Sequence, residues 1–240
     1  MVKVKFNYAL NAYNAFEIDI DYDTAFTLVS PFLEGLNNRP LIDPNMDCMH
    51  LKDFPLSFCS QSPNWKGDIS WVSAASKEAF TFFEQCFEKL EIERKTQEVA
   101  ELDFPLMMYS GFFVVRSYGE DTHFHLDFDD TCDNQAFTLM LPIQLDEKSE
   151  SGHLLYKDVF FADQKYTYTK GKAITFGSRF IHSTEPFRST KKFIFLCFTY
   201  GTTNADKWDA IKTTVTKQGI SYKSYDGSVI VRDKTFERYF

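Results

Sequence analysis

The spacing of apolar and polar positions changes once along the chain. From Asp23 to about Leu36 the run TAFTLVSPFLEGL has helical spacing, with Asp23 in the position of an N-cap, Pro31 as an interruption and Gly35 near the end. Residues 37–70 are rich in Asn, Asp and Pro and are expected to be irregular, a lid, a binding wall or an insertion, with His50 inside them. In SKEAFTFFEQCFEKLEIERKTQEV, Phe80, Phe83, Phe87 and Leu90 recur at three- and four-residue steps behind Ser76, which predicts a capped helix packed on the outside of a sheet.

After residue 102 the period becomes two. LMMYSGFFVVRSY, AFTLMLPIQL, HLLYKDVFF, KYTYT, KAITFG and KKFIFLCFTYG are short β-branched or aromatic runs separated by Gly, Asp and Ser, as in a β-sandwich or barrel. ADKWDAIKTTVTKQG then predicts a helix, and SYKSYDGSVIVRD a hairpin turning at Asp226-Gly227. The expectation is one mostly-β domain over residues 1–240 with flanking helices. Residues 1–100 form its helix- and loop-rich part, 101–201 the β core, and 202–240 the closing helix and hairpin.

Composition fills in this frame. With 26 Phe and 12 Tyr in 240 residues, facing sheets have large rings to close on. The net charge of −8 argues against a surface that follows a phosphate backbone, so no nucleic-acid partner is expected. Five cysteines, odd in number and without CxxC spacing, fit reduced intracellular thiols. No segment has the length of a membrane span, and MVKVKFNYALNAYNAF lacks the apolar stretch of a signal peptide; the expectation is a soluble, cytoplasmic protein.

One stretch carries candidate chemistry. In THFHLDFDD (122–130), His125 and Asp127 would share a strand face, with His123 beside them. That suits a metal site, and equally an acidic loop that follows a strand. Farther on, His182 follows the run KGKAITFGSRFIH, and Lys192 opens KKFIFLCFTYG. Alternation places Lys192 with Ile194 and Leu196 on one face, which selects it over Lys191. Arg116, Arg179 and Arg188 flank these runs as further candidate cations, and His153 is taken as structural.

Together, His125-Leu126-Asp127, the distal His182 and Lys192 resemble the iron(II)- and 2-oxoglutarate-dependent oxygenases, over roughly residues 105–201. The resemblance implies a double-stranded β-helix (jelly-roll) core and iron(II) held by His125, Asp127 and His182, with three coordination positions open for 2-oxoglutarate and O2. It implies that Lys192 pairs with the far carboxylate of 2-oxoglutarate, with Arg116 and Arg188 as further cosubstrate-binding candidates. Most members use Arg near that place, a prolyl hydroxylase branch uses Lys, and the serine some members carry two residues later is Ile194 here. Related halogenases have a small residue in place of the carboxylate; Asp127 therefore implies hydroxylation first, with desaturation or ring closure as the other outcomes, and ascorbate as a possible stimulant. The expected substrate is a small molecule, such as an amino acid or a natural-product intermediate. The alternatives are hydroxylation of a protein side chain, a cupin-type site on His123, His125, Asp129 and His182, and a jelly-roll binding module without turnover.

Overall fold

The structure, a computed structural model, describes residues 5–39, 48–50, 54–60 and 66–231. A short hairpin of β1 (Phe6–Asn7) and β2 (Ala12–Tyr13) leads into β3 (Ala15–Asp19). The cap of α1 (Tyr22–Val29) is Asp21 rather than Asp23: its carboxylate accepts from the backbone N–H groups of Asp23 and Thr24 at 3.1 and 3.3 Å. Pro31 lies in a single 3-10 turn, Ser30–Phe32, which separates α1 from α2 (Leu33–Asn37).

The segment expected to be irregular contains β4 (Cys48–His50) and most of the path to β6 (Ser70–Ala74), with β5 (Leu56–Ser60) between them. Residues 40–47, 51–53 and 61–65 of that segment lie outside the described residues, so its expected role as a lid does too. The long helix predicted after Ser76 divides into α3 (Lys77–Lys89) and α4 (Ile92–Ala100), because Glu91 takes a left-handed conformation, φ 54°. Ser76 caps α3 by accepting from Ala79 N–H at 3.1 Å.

The β core follows as β7 (Leu106–Gly119), β8 (Ala136–Gln144), β9 (Leu154–Lys157), β10 (Asp163–Tyr166), β11 (Lys172–Phe176), β12 (His182–Thr184) and β13 (Phe187–Thr202). The chain then forms α5 (Trp208–Gln218) and the hairpin of β14 (Ser221–Lys223) and β15 (Val229–Val231), with Gly227 at φ 83° in its turn.

Eight strands form one antiparallel sheet in the order β3-β11-β8-β13-β7-β6-β5-β4, and three form a second, β10-β9-β12. Half of the large sheet thus comes from the first hundred residues, which were expected to contribute helices and loops. Alternation along β7 and β13 explains the layering. Phe113, Val115, Ile194 and Leu196 turn outward into a cluster closed by Phe80, Phe83 and Phe87 of α3. Phe112, Val114, Phe193, Phe195 and Cys197 turn inward, where Leu154 and Tyr156 of the small sheet meet them. Each of these buried aromatics contributes roughly 1.5–3 kcal/mol of hydrophobic transfer free energy. The result is a double-stranded β-helix with helices against the outer face of its larger sheet.

Candidate metal centre

The acidic, histidine-bearing stretch runs along the free edge of the small sheet. A single antiparallel bridge joins it to β12: His125 N–H donates to the His182 carbonyl at 2.9 Å, and His182 N–H to the His125 carbonyl at 3.0 Å. The two rings lie with centroids 4.5 Å apart. In each ring Nδ1 faces a backbone carbonyl two residues upstream, His123 O at 2.8 Å for His125 and Phe180 O at 3.1 Å for His182. A carbonyl can only accept, so each Nδ1 carries the proton and each Nε2 presents a lone pair. Both Nε2 atoms face Asp127 Oδ1, at 3.6 and 3.9 Å. One ligand atom from each of the three residues lies within 4.8 Å of the other two.

Asp127 is fixed from behind. Its Oδ2 accepts from the Thr138 hydroxyl of β8 at 2.6 Å, and its backbone carbonyl accepts from the Thr214 hydroxyl of α5. The next residue, Phe128, is fully buried among Trp208, Ile211 and Val215 of α5.

The electrostatics suit a divalent cation. Burial works against ionisation of Asp127, but the hydrogen bond and charge of the histidines, with the Thr138 hydroxyl, hold its carboxyl well below the usual range. Burial pushes His182 down to about 4, against the pull of Asp127. His125 is also penalised by burial, yet the Asp127 carboxylate, as hydrogen-bond acceptor and as a negative charge, raises it overall. The ionised Asp127 and the neutral His182 need lose no proton to bind metal, while any proton that His125 carries would be released on binding.

The remaining sequence candidates separate clearly. Asp129 caps a 3-10 turn by accepting from Thr131 N–H at 2.8 Å and stands outside the cluster, which removes the support for a cupin-type set. His123 is exposed, with its ring 5.9 Å from that of His125. His153 is buried and accepts from Tyr168 N–H at 3.3 Å through Nδ1, as a structural residue would.

Lys192 requires a correction. It shares a face with Ile194 and Leu196 as alternation demands, but that face is the outer one. Its ammonium lies 3.6 Å from Asp68 Oδ2 and 3.4 Å from Ser117 Oγ, while Phe193 points into the interior. Arg188 is also misplaced as a cosubstrate ligand: its side chain is exposed, over the Tyr118 ring and 3.7 Å from Glu120. Arg179 is exposed and paired with Asp130 at 2.8 Å.

Arg116 is the cation that enters the interior. Only 1% exposed, it donates to the Gly152 carbonyl at 2.8 Å and to the Thr184 hydroxyl, and its guanidinium carbon sits 4.9 Å from the Phe195 ring centroid. Gly152 has φ 85°, and a Cβ there would come within 2.7 Å of Phe187, so only glycine brings this carbonyl to the guanidinium without strain. Thr184 lies two residues beyond His182 on β12, which ties Arg116 to the strand of the distal histidine. Arg116 Nε is buried without a hydrogen-bond partner, and among the described residues no carboxylate pairs with this cation. Burial correspondingly lowers its pKa. Sequence reading missed Thr138 and Thr184. A hydroxyl within the apolar run AFTLML was the available signal for the first.

No protein-family model matches the sequence, and no curated protein does. Solved structures do resemble the fold. HygX from Streptomyces hygroscopicus, solved with nickel and 2-oxoglutarate, superposes with a TM-score of 0.53 at 12% identity, covering 84% of this chain and 87% of that one. The non-heme alpha ketoglutarate dependent epimerase SnoN from nogalamycin biosynthesis gives 0.55 at 9% identity, covering 82% and 85%. A prolyl hydroxylase from Trichoplax adhaerens, in complex with a hypoxia inducible factor peptide fragment, gives 0.53 at 12% identity, covering 80% and 86%. Identities this low establish likeness of fold, and the fold this chain shares with them is the double-stranded β-helix.

Proposed function

We propose that this protein is an iron(II)- and 2-oxoglutarate-dependent oxygenase that hydroxylates an unactivated C–H bond of a small molecule. The observation that carries the reading is the convergence of one ligand atom each from His125, Asp127 and His182 within 4.8 Å of one another inside a double-stranded β-helix. Two imidazoles and a carboxylate on one face are the donor set of non-haem iron oxygenases. When bound there, iron supplies the activation of O2 that couples decarboxylation of 2-oxoglutarate to succinate with oxidation of the substrate.

The chain's own residues bind and orient. His125, Asp127 and His182 hold the metal. Arg116 pairs with the far carboxylate of 2-oxoglutarate in the role expected of Lys192, since a buried guanidinium without a carboxylate partner is costly until an anion meets it. Thr184 and the Gly152 carbonyl aim it. The substrate approaches past His125, whose side chain is 46% exposed while those of His182 and Asp127 are 7% and 9%. A small-molecule substrate draws support from HygX, which has been solved with hygromycin B bound beside nickel and 2-oxoglutarate. A reducing, cytoplasmic setting is supported by the buried, unbridged thiols of Cys86, Cys132 and Cys197. In addition, no helix among the described residues is long and apolar enough to cross a membrane.

The test is succinate formation from 2-oxoglutarate with iron(II), ascorbate and O2, screened against amino acids and metabolite pools. Stimulation by one compound, lost in Asp127→Ala, is the expected result; no iron binding and no succinate under any condition would return the chain to the class of binding modules.

A further inference from the structure

We infer that Thr138 is a positioning residue for the metal carboxylate, one that keeps Asp127 a one-oxygen ligand. The inference rests on the metal-centre reading above. A carboxylate beside a divalent cation can offer one oxygen or both, and the choice decides how many coordination positions remain. Here the two oxygens of Asp127 have different tasks. Oδ1 faces both Nε2 atoms, at 3.6 and 3.9 Å, and Oδ2 accepts from the Thr138 hydroxyl at 2.6 Å. That separation is in the range of a charge-assisted O–H···O⁻ bond, which is roughly twice as strong as a neutral one.

The geometry leaves little freedom. Thr138 is 3% exposed and sits third along β8, at a position paired on both sides, to Phe176 of β11 and to Thr199 of β13. Its hydroxyl is therefore fixed by the large sheet, while the Asp127 backbone belongs to the stretch that bridges to β12 of the small sheet. Thr214 holds the Asp127 carbonyl, and Phe128 is locked under α5. With the backbone clamped on one side and Oδ2 on the other, rotation of the carboxylate toward a two-oxygen mode would break the Thr138 bond. Thr138 thus reserves for ligands the position that a second carboxylate oxygen would take.

Cobalt(II) binding to the metal-free protein, followed by visible d–d absorption with cobalt alone and no turnover, tests this. Thr138→Val is expected to weaken cobalt binding about 10–100-fold, the range typical for loss of a group that holds a metal ligand. It should also change band positions and intensities, as a shift in coordination number does. Thr138→Ser should restore both, and all variants should melt near wild type without metal. Thr138→Ala removes the same hydroxyl and gives the same comparison if the valine variant does not fold. Wild-type affinity and an unchanged spectrum in the hydroxyl-free variants would overturn the role of Thr138 alone. If wild type and His182→Ala bound cobalt equally, the metal-centre reading would fall, and this inference with it.

Discussion

His125 and His182 hold each other by their backbones: each donates its N–H to the carbonyl of the other, at 2.9 and 3.0 Å. The spacing of the two imidazoles is therefore set by strand pairing before any metal arrives. Because these bonds do not involve the side chains, His125→Ala should keep the fold and lose metal. His182→Ala should lose metal and some stability as well, since its ring packs 4.4 Å from that of Phe176. Asp127→Ala should also lose metal, whereas His123→Ala and Asp129→Ala should largely retain it. Metal content after loading and desalting, with thermal melts of the metal-free proteins, separates these outcomes.

A site that exists only in the folded chain makes metal a stabiliser. At a free concentration about a hundred times its dissociation constant, a divalent metal should add about 2.7 kcal/mol to unfolding. Urea titrations with and without cobalt(II) measure this, and the increment should vanish in Asp127→Ala.

Arg116 and Lys192 make opposite predictions. Removing the buried cation leaves a bound carboxylate unpaired, a loss on the order of 3–5 kcal/mol. Arg116→Met should therefore raise the 2-oxoglutarate concentration needed by about a hundredfold or more, each 1.4 kcal/mol being about a factor of ten. Because Arg116→Met also removes the donors to the Gly152 carbonyl and the Thr184 hydroxyl, melts of the ligand-free variant separate any stability loss from the loss of cosubstrate affinity. Lys192→Ala should leave 2-oxoglutarate binding unchanged by calorimetry; the reverse pattern would return the anchor to Lys192.

On the outer face, Arg39 and Asp68 form a pair at 2.8 Å with both side chains 2% exposed. Burial pushes the Asp68 carboxyl up, but hydrogen bonds from Ser117 and Tyr118 and the charge of Arg39 outweigh it and hold it below its ordinary value. With the folded value depressed, the stability this group contributes is complete above the ordinary carboxylate range near pH 4 and is lost as pH falls through the folded value. Asp68→Asn should cost about 3–5 kcal/mol near neutral pH, by leaving Arg39 unpaired, and should flatten the acid limb of stability. Urea titrations across pH decide it.

Gly111 lies where α3 crosses β7, and a Cβ there would fall 2.4 Å from Phe83 Cβ. The obstacle is close to the helix backbone, so the helix itself would have to move. Gly111→Ala should destabilise by about 1–3 kcal/mol, as overpacked cores do, with metal binding little changed; a melt together with a cobalt titration shows whether the two effects separate.

What the sequence disclosed follows from which forces are local. Period-two runs and the stripe Phe80, Phe83, Phe87 and Leu90 report burial directly, so the strands after residue 102 and the capped start of α3 were legible. The three clustered residues were legible too, from the two-residue spacing of His125 and Asp127 and from a distal histidine that follows a strand and a short break and opens β12. Alternation also says which residues share a face, but not which face is inside. Lys192, Ile194 and Leu196 were grouped correctly and assigned to the wrong side, across an irregularity in pairing between Arg188 and Phe193. Glu91 escaped because nothing in its side chain demands φ 54°. The strands β4 and β5 escaped because they are short and lie in a stretch rich in Asn, Asp and Pro, where pairing of β5 with the neighbouring β6, and of β4 with β5, overrides weak local preference.

The large sheet is sewn together by distant partners. β3 finds its neighbour at Lys172–Phe176, and β7 finds its own at Phe187–Thr202. A chain emerging from the ribosome therefore presents His125 and Asp127 long before the strand that brings His182 exists. Loop-closure entropy must be met before either sheet can reward it. On the proposed reading, metal capture is then a late event in the life of each molecule: a nascent chain halted before β12 has two of the three donors and no wall to hold them, and only the finished sheet would turn them into a trap.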